Sequence, residues 1–394
     1  MESINARVTL KPKEHFRLLG GHQWVFSNEI QKIEGLPQKG AIVAAYSSDN
    51  IFLGLGFYNP SSLIAFRLIS KKNELINDAF WHTKISNAIA YRKEMLGNIK
   101  YCRLVFGESD FLPGLVVDSF GDYLSVQFIG AGMDKIKDEI TKILVDLLAP
   151  KGIIERNDSS LRKMEGLEQG IGIIYGTVPD SVEIIENKIK YSASILSGQK
   201  TGFYYDQREN RQVAASYCKG KRVLDCFCHT GAFALNALGA GASYAVAVDS
   251  SKDALELCLR NAALNNMQEN FGTEKADALE MLMETAKSHS KPDVIIIDPP
   301  ALIKSKKDFG PGYRHYVKLN AAAMKAINQG GRLVTSSCSH NLPGSEFYKM
   351  LSEAASRSGK NAVLLHMGTQ AKDHPILLNM PETHYLKFAV LKIC

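Results

Sequence analysis

The stretch from Arg222 to Asp249 constrains the fold of this 394-residue chain more than any other. Two short apolar segments, each ending on an aspartate, flank a glycine-containing loop and a segment with helical spacing. Strand, glycine loop, helix, strand and acid form one half of a nucleotide-binding α/β unit. The carboxylate of Asp249 suits a ribose diol, and Gly231 permits close approach of the backbone. Because the loop lacks a full G-x-G-x-x-G, an S-adenosylmethionine (SAM) site is favoured, while a dinucleotide site and a purely structural turn stay open.

The composition is typical of a globular protein with two or three domains, at 45% hydrophobic and 22% charged residues. No apolar run is as long as a membrane span, and the amino end does not resemble a signal peptide. We therefore expect a cytoplasmic protein without a membrane partner. Seven scattered cysteines without a C-x-x-C pair are typical of reduced thiols and predict no metal site. Lysine plus arginine exceeds aspartate plus glutamate, 47 against 41, which permits a polyanionic partner.

Three regions follow one another along the chain. Residues 1–72 have short strand patterns between polar turns, which predicts a β-rich module. Residues 73–188 open with a long amphipathic helix that Asn77 caps, followed by strands and a helix, which predicts a sheet with helices on it. Residues 189–394 alternate strand and helix, as a doubly wound α/β sheet requires. The predicted strands of this third region are Val223–Asp225, Ala245–Asp249, Val294–Asp298, Gly331–Ser336, Ala362–His366 and Tyr385–Ile393. Its predicted helices are Ala232–Leu238, Lys252–Asn265, Ala278–Ser288, Tyr316–Ile327 and Ser345–Ser358.

Basic residues in the first two regions are candidates for contacts with RNA. These candidates are Lys11, Lys13, Arg17, Arg162 and Lys163. The first three precede Trp24 and Phe26, and basic residues beside aromatic ones suit phosphate contacts and base stacking. We interpret Trp24 and Phe26 themselves as core residues of a small barrel. For the other two basic residues, which lie in a polar loop of the second region, a merely solvated loop remains an equal alternative.

Two strand ends of the third region carry the chemistry. Asp298-Pro-Pro follows four apolar residues, so a rigid carboxylate emerges from the core at the end of that strand. Ala301 follows, where methyltransferases of amino nitrogens generally have an aromatic residue that stacks on the base, and this disfavours amino methylation. Cys338 follows the strand that begins near Gly331, and its thiol is expected to face the same cleft as Asp298.

A cysteine in this place suits methylation of a pyrimidine carbon. Carbon 5 of the ring is too weak a nucleophile to take a methyl group from SAM directly. Addition of the Cys338 thiolate at carbon 6 creates an enamine, whose carbon 5 can attack the sulfonium methyl group. The carboxyl group of Asp298 would hold the protonated ring nitrogen. Loss of the carbon 5 proton and expulsion of the thiolate complete the cycle.

Several segments together resemble one family, the RlmI-type SAM-dependent methyltransferases that make 5-methylcytosine in 23S ribosomal RNA of the large subunit. The segments are His22–Ser27, Gly107–Gly114, Arg162–Gly166, Lys200–Arg211, Asp225–Gly231, Asp298-Pro-Pro and Ser337–Ser339. The resemblance covers nearly the whole chain in order. It implies an α/β fold, with a Rossmann-fold class I methyltransferase domain at 189–394, an amino-terminal PUA β-barrel at 1–72 and a central α+β domain at 73–188.

The resemblance also implies roles for individual residues. Asp225 and Gly231 are expected to hold the methionine end of SAM, Asp249 its ribose and Asp277 its adenine. The further residues implied at the SAM and substrate cleft are Phe203, Asp206, Gln207, Arg208, Phe227, Thr230 and Asp298. Cys338 is implied as the nucleophile, with Asp298 as its catalytic partner.

The predicted function is therefore methylation of cytosine carbon 5 in 23S ribosomal RNA, free or in early assembly particles. A homodimer is a further possibility. The alternatives are methylation of a uracil carbon 5 or an exocyclic amine, or a non-catalytic RNA-binding assembly factor.

Overall fold

The computed structural model describes residues 6–196, 198 and 201–394, so Lys200 of the motif quoted above lies outside the described residues. The chain forms two compact units. The first unit contains the residues up to Val182 together with Ala193–Tyr205 and Lys372–Thr383, and the second contains Glu183–Ser192, Asp206–Ala371 and His384–Cys394. Compared with the expected third domain of 189–394, the second unit begins slightly earlier and omits two inner segments.

The first unit begins with a six-stranded sheet in the order β2-β6-β5-β4-β1-β3. Its elements are β1 (Arg7–Leu10), α1 (His15–Leu19), β2 (Trp24–Phe26), β3 (Ile30–Glu34), β4 (Ala41–Tyr46), β5 (Phe52–Tyr58) and β6 (Ile64–Ser70). Side chains alternate across a strand, so Val25 enters the core while its neighbours Trp24 and Phe26 stay half-buried. The interpretation of these two aromatic residues as core is therefore wrong.

A second, five-stranded sheet of the first unit has the order β11-β10-β9-β8-β7. Its elements are α2 (Asp78–Leu96), β7 (Tyr101–Phe106), β8 (Leu115–Phe120), β9 (Tyr123–Phe128), α3 (Ala131–Lys135), α4 (Lys137–Leu148), β10 (Gly152–Asn157), α5 (Leu161–Met164) and β11 (Gly170–Gly176). The side chain of Asn77 accepts a hydrogen bond from the backbone of Phe80, which confirms the predicted cap. Trp81, Ile85 and Ile89 of α2 pack into the core of this sheet.

Arg67 joins the two sheets of the first unit. Its guanidinium forms ion pairs with Glu108 at 2.7 Å and with Glu165 at 2.8 Å. The indole of Trp24 donates to Glu108 at 2.8 Å, and Ser62 donates to Glu165 at 2.7 Å. Burial alone would raise the pKa of Glu165, but Arg67 and the hydroxyl donor outweigh burial and lower it. We call Arg67, Glu108 and Glu165 the Arg67 cluster. Trp24, Glu108 and Glu165 each belong to one of the family-like motifs, so these three motifs have a structural role in the first unit.

The second unit is a seven-stranded sheet in the order β16-β15-β14-β17-β18-β20-β19, with β20 antiparallel to both of its neighbours. Its strands are β14 (Arg222–Cys226), β15 (Tyr244–Asp249), β16 (Phe271–Lys275), β17 (Val294–Ile297), β18 (Arg332–Ser337), β19 (Ala362–Gly368) and β20 (Lys387–Ile393). Its helices are α6 (Arg208–Ser216), α7 (Ala232–Gly239), α8 (Lys252–Leu264), α9 (Ala278–Thr285), α10 (Phe309–Ala326) and α11 (Gly344–Ser358). A two-stranded sheet, β12 (Ser181–Glu186) and β13 (Ile189–Ser194), has residues in both units.

The predicted strands and helices of the third region are present, but β13, α6 and β16 were not predicted, and one helix begins earlier than expected. The sequence did not indicate β16, because this edge strand buries only Phe271 fully and has an otherwise polar pattern. Helix α10 begins at Phe309 rather than Tyr316. Pro311 is tolerated there because the first turn of a helix needs no backbone donor from it. The chain order reverses where β14 lies between β15 and β17, and ligands of open α/β sheets bind at such a point.

Candidate functional site

Four side chains gather at the carboxyl edge of the seven-stranded sheet. Strands β14, β15, β17 and β18 are parallel, so their carboxyl ends meet at one edge. Asp225 and Asp249 lie at the ends of the first two strands, and Asp298 and Cys338 directly follow the other two. We call these four residues the strand-end site.

The loop between β14 and α7 is tightly folded beside this site. Phe227, His229 and Gly231 all have positive φ angles, of 62°, 50° and 74°. A Cβ atom at Gly231 would lie 3.1 Å from the sulfur of Cys258, so only glycine fits there without displacement. The backbone of Thr230 accepts a hydrogen bond from Asn261 at 3.0 Å, which fixes the loop against α8. The loop is therefore held in one tight conformation, and Gly231 adds no side chain at this point of the sheet edge.

Asp225 is buried with one carboxylate oxygen satisfied and the other not. Its Oδ2 accepts from the backbone N–H of Ala234 at 3.0 Å, whereas Oδ1 has no partner among the described residues. Burial raises the pKa of this carboxyl group to about 8, against the hydrogen bond from Ala234, which lowers it. An orphaned buried oxygen beside a tight glycine-containing loop fits a ligand that brings its own hydrogen-bond donor, as the methionine end of SAM does.

Asp249 and Asp277 are both oriented by backbone donors. Asp249 accepts from the N–H of His229 at 3.1 Å and of Ser251 at 2.9 Å, which leaves lone pairs for a ribose diol. Asp277 is the N-cap of α9 and accepts from Leu279 at 2.9 Å through Oδ1. Capping of α9 is a sufficient structural role for Asp277, even without a ligand. The second carboxylate oxygen of this exposed residue could accept a hydrogen bond from an adenine amino group.

The predicted cluster from Phe203 to Arg208 is divided. Phe203 is buried in the first unit beside Tyr205, with ring centroids 5.3 Å apart. Asp206 belongs to the second unit and accepts from the hydroxyl of Tyr385 at 2.6 Å. Arg208 pairs with Glu186 at 3.5 Å. Asp206 therefore contacts Tyr385, which lies just before β20, whereas Arg208 pairs with a buried glutamate of the hairpin β12–β13.

Asp298 lies in a chain of hydrogen bonds. The hydroxyl of Ser336 donates to its Oδ1, and the amide of Gln207 donates to Ser336 at 3.4 Å. Burial raises the pKa of Asp298, the nearby Asp206 adds to this increase, and the Ser336 hydroxyl opposes it. A carboxyl group whose pKa is raised in this way can supply a proton to a bound base.

Cys338 lies against the loop that follows Asp298. Its sulfur is 3.9 Å from the carbonyl oxygen of Pro299, and the residue is half-buried. The other cysteines of the second unit's interior are inaccessible: burial raises the pKa of Cys218 to about 12 and raises that of Cys226 further. Cys338 is thus the thiol at this edge that a substrate can reach.

Lys387 is a residue that sequence reasoning missed. It begins β20, is only 4% exposed, and donates from Nζ to the carbonyls of Ser339 at 2.6 Å and Tyr385 at 2.8 Å. Burial lowers its pKa to about 8. The available signal was a lysine inside the apolar run that we interpreted only as a terminal strand.

The RNA candidates differ in their environment. Lys11, Lys13 and Lys163 are exposed. Arg17 forms an ion pair with Glu29, with 2.6 Å between the guanidinium nitrogen and the carboxylate oxygen. Arg162 is buried, donating to the carbonyl of Phe128 and pairing with Asp134 at 2.8 Å, so its guanidinium is a structural contact rather than an RNA contact.

The described residues contain neither a candidate membrane-spanning helix nor a candidate metal site. No described helix combines the length and apolarity needed to cross a membrane. Within residues 6–196, 198 and 201–394, no group of three or more His, Cys, Asp or Glu side chains could hold a metal ion.

Comparisons with known proteins bear on the fold and the family. Residues 8–71 match the family of PUA-like domains, and residues 210–306 match the family described as "Conserved hypothetical protein 95". A methyltransferase from Streptococcus mutans described as SAM-dependent has a TM-score of 0.83 at 22% identity, covering 98% of this chain and 99% of that one. A second solved protein, described as a methyltransferase complexed with S-adenosylhomocysteine (SAH), has a TM-score of 0.85 at 23% identity, with the same coverage. These likenesses confirm the predicted fold class.

Three curated relatives are named Ribosomal RNA large subunit methyltransferase I. The relative from Tolumonas auensis is 38% identical over 99% of this chain and 100% of its own length. Those from Pseudoalteromonas atlantica and Aeromonas hydrophila are 37% and 38% identical, again over 99% of this chain and 100% of each relative. At this identity over the full length, the chain belongs to the ribosomal RNA large subunit methyltransferase I family.

Proposed function

We propose that this protein methylates carbon 5 of a cytosine in 23S ribosomal RNA, with SAM as methyl donor and Cys338 as nucleophile. Family membership and the SAH-bound structural relative support a SAM-dependent methyltransferase of ribosomal RNA. The choice of carbon 5 is carried by one observation, the position of the Cys338 sulfur 3.9 Å from the backbone of the Asp298-Pro-Pro loop.

The residues of the strand-end site divide the work of binding the donor. SAM supplies an activated methyl group on a sulfonium centre. Asp225 and the backbone around Gly231 suit its methionine end, since the orphaned oxygen of Asp225 can accept from an ammonium group. Asp249, fixed by two backbone donors, suits the ribose hydroxyls.

Cys338 and Asp298 act on the cytosine ring. The thiolate of Cys338 adds to carbon 6, and a proton from Asp298 reaches the ring nitrogen, so the electron pair moves to carbon 5. Because burial raises the pKa of Asp298, its carboxyl group keeps the proton needed for this step to higher pH than an exposed aspartate does. As carbon 5 takes the methyl group, the methyl–sulfonium bond would break with SAH as the leaving group. Carbon 5 then loses its proton to water, the ring expels the thiolate of Cys338, and the ring nitrogen returns its proton to Asp298.

A basic segment beside Cys338 supports RNA as the substrate. Its five exposed cations are Lys304, Lys306, Lys307, Arg314 and Lys318. The segment is tied to the Cys338 loop, because Asn341 donates to the carbonyl of Lys304 at 3.1 Å and Ile303 donates to Ser339 at 3.1 Å. Exposed cations at this spacing suit successive phosphates of an RNA strand. Lys11 and Lys13 of the PUA-like domain are proposed as further RNA contacts.

The substrate is proposed to be unfolded or newly made ribosomal RNA. The target base must leave its stack to reach a half-buried thiol, at a cost of roughly a few kcal/mol for a paired base. Free RNA or an early assembly particle lowers that cost. Ala301 cannot stack on a base, which disfavours an exocyclic amine as the methyl acceptor.

Cys338→Ala tests the proposal, with Cys394→Ala as the matched control because Cys394 is an exposed cysteine at the chain end. We expect wild type and the control to form 5-methylcytosine in ribosomal RNA fragments, detected by mass spectrometry of digested RNA. Cys338→Ala should bind SAM in calorimetry and transfer no methyl group.

Each contrary result removes a different part of the proposal. Full activity of Cys338→Ala would contradict the assignment of Cys338 as the nucleophile. Methylation of another base or base position would contradict the assignment of cytosine carbon 5 as the methyl acceptor. A wild-type protein that binds RNA but not SAM would favour the non-catalytic assembly factor.

A further inference from the structure

The side chain of Lys387 is a buried cation without a carboxylate partner. It is 4% exposed, and neither an aspartate nor a glutamate of the described residues forms an ion pair with it. Two carbonyl oxygens accept hydrogen bonds from its ammonium group, which compensates the donors but not the charge. A buried charge without an opposite charge is strongly disfavoured, so a counter-ion is expected close to Nζ.

Register and hydrogen bonds place Lys387 beneath the turn that carries Cys338. Lys387 lies directly opposite Ser337 in the antiparallel pairing of β18 with β20. Its Nζ donates to the carbonyl of Ser339. Lys387 therefore contacts or pairs with the residues on both sides of Cys338 in the sequence.

The same face of β18 is closed by neutral hydroxyl groups. The hydroxyl of Ser337 donates to that of Tyr316 at 2.9 Å, and the hydroxyls of Tyr316 and Ser339 are 3.0 Å apart. All three residues are buried. These neutral groups do not compensate the positive charge of Lys387, whereas the Cys338 thiol is close enough for its charge to interact with that of the ammonium group.

We propose that Lys387 is a positioning residue that holds Cys338 as a thiolate, with the buried ammonium group as the counter-ion of the half-buried sulfur. The proposal rests on the nucleophilic role of Cys338 proposed above. A thiolate, rather than a thiol, adds to carbon 6, and a neighbouring cation increases the fraction of cysteine in that form. Lys387 takes no part in the bonds that form and break.

Other titratable groups also surround Cys338 and contribute to its environment. They are Asp298 after β17, Tyr316 of α10, His340 of its own loop, Asp206 before α6, and His384 and Tyr385 before β20. Asp298 and Asp206 oppose thiolate formation when ionised. The direct test must therefore titrate the thiol itself and change only the lysine.

The experiment measures the rate at which iodoacetamide alkylates Cys338, followed by mass spectrometry of the Cys338 peptide across a pH series. Alkylation requires the thiolate, which displaces iodide and forms a carbon–sulfur bond. Wild type is compared with Lys387→Met, with Lys387→Arg as the rescue, and with Lys392→Met as the matched control. Lys392 is an exposed residue of the same strand.

We expect Lys387→Met to be alkylated at least about tenfold more slowly than wild type at pH 7, a difference that disappears at high pH where the thiol ionises unaided. Lys387→Arg should restore most of the rate, and Lys392→Met should match wild type. The acidic limb of kcat/KM for methyl transfer should move to higher pH in Lys387→Met by the same amount. An unchanged pH profile in a folded, SAM-binding Lys387→Met protein would overturn the proposal.

A second measurement needs no lysine variant and remains valid if Lys387→Met does not fold. The ultraviolet absorbance of the Cys338 thiolate is obtained as wild type minus Cys338→Ala during a pH titration. We expect its midpoint below the ordinary thiol value of about 8.5, and a midpoint at or above that value would contradict the proposal. Because neither readout depends on methylation, failure of this inference is distinguishable from failure of the proposed function.

Discussion

The Arg67 cluster of the first unit and the strand-end site of the second unit both bury charge, but only the first surrounds it with opposite charge. Glu108 and Glu165 each bind the Arg67 guanidinium within 2.8 Å. At the strand-end site Asp225 has an oxygen without a partner among the described residues, and Asp298 is close to another carboxylate.

The pKa shifts express this difference. The pKa of Glu165 is lowered, so the folded protein stabilises its charge. Burial raises the pKa of Asp225 to about 8 and lowers that of Lys387 to about 8, so the fold disfavours both charges there. Compensated charges hold domains together, whereas uncompensated ones are typical of sites completed by a ligand.

Removal of the central cation should have the largest effect on stability. Arg67→Met leaves two carboxylates without their shared partner, and we expect the first unit to lose about 3–5 kcal/mol of its free energy of unfolding. Both tryptophans of the chain, Trp24 and Trp81, belong to this unit. Urea unfolding followed by tryptophan fluorescence therefore reports on it. A loss below about 1 kcal/mol would contradict the structural role of the cluster.

Asp225→Asn should change the free energy of unfolding in the opposite direction, by increasing it. Between the unfolded-state pKa near 4 and the folded-state pKa of about 8, the unfolded chain has lost a proton that the folded protein keeps, so wild-type stability falls as pH rises. The asparagine variant has no ionisable carboxyl group at this position, so its stability does not fall in this way. Relative to wild type it should gain stability on the order of a few kcal/mol as the pH rises from 5 to 8. Urea unfolding monitored by far-ultraviolet circular dichroism measures it, and SAM binding should weaken.

Glu165→Gln provides the reciprocal control for that experiment. Because the folded-state pKa of Glu165 is lowered, its contribution is present above the unfolded-state pKa and is lost as pH falls through the folded-state value. The variant should be less stable than wild type at neutral pH, and the difference should shrink at acidic pH. The same pH trend in both variants would break the comparison between the two regions.

Charge reversal in the basic segment should affect RNA binding rather than stability. For Lys306→Glu combined with Lys307→Glu, we expect the KM for RNA to rise about tenfold. The slope of log affinity against log salt should fall by about one to two. The matched control is Lys219→Glu combined with Lys221→Glu, two exposed lysines that precede β14 at the opposite edge of the sheet. Equal effects of the two pairs would show that only net charge matters.

The smallest effect is expected at an exposed ion pair. Arg7 and Glu34 lie 3.5 Å apart with side chains 34% and 42% exposed. Arg7→Met should change the free energy of unfolding by less than about 1 kcal/mol, because water screens both charges. In the tryptophan fluorescence assay, a loss as large as that of Arg67→Met would show that burial does not distinguish these pairs.

The sequence predicted the family, the fold class and the SAM cofactor, and the comparisons confirm all three. The positions of Asp298 and Cys338 at the sheet edge could be predicted, because each follows an apolar run that forms a buried strand. Arg162 and Lys387 were not readable in this way. A sequence shows their charge, but only the folded chain shows that carbonyl groups distant in sequence surround them.

The roles assigned to the residues of the site, toward SAM as well as toward the cytosine, stay predictions. Asp249 and Cys338 lie where the sequence indicated, and Asp277 has a second explanation as a helix cap. Helix α10 was predicted too short because Gly-Pro-Gly normally breaks a helix, and here it occupies the first turn, where no backbone donor is needed.

The central claim is a covalent bond between Cys338 and cytosine, and RNA containing 5-fluorocytidine tests it most directly. Fluorine at carbon 5 cannot be removed as a proton, so the adduct formed after methyl transfer should persist. With SAM present, we predict a denaturant-resistant complex whose RNA is attached to the Cys338 peptide, and none with Cys338→Ala. An active wild-type enzyme that forms no such complex, or forms it at another residue, would contradict the account.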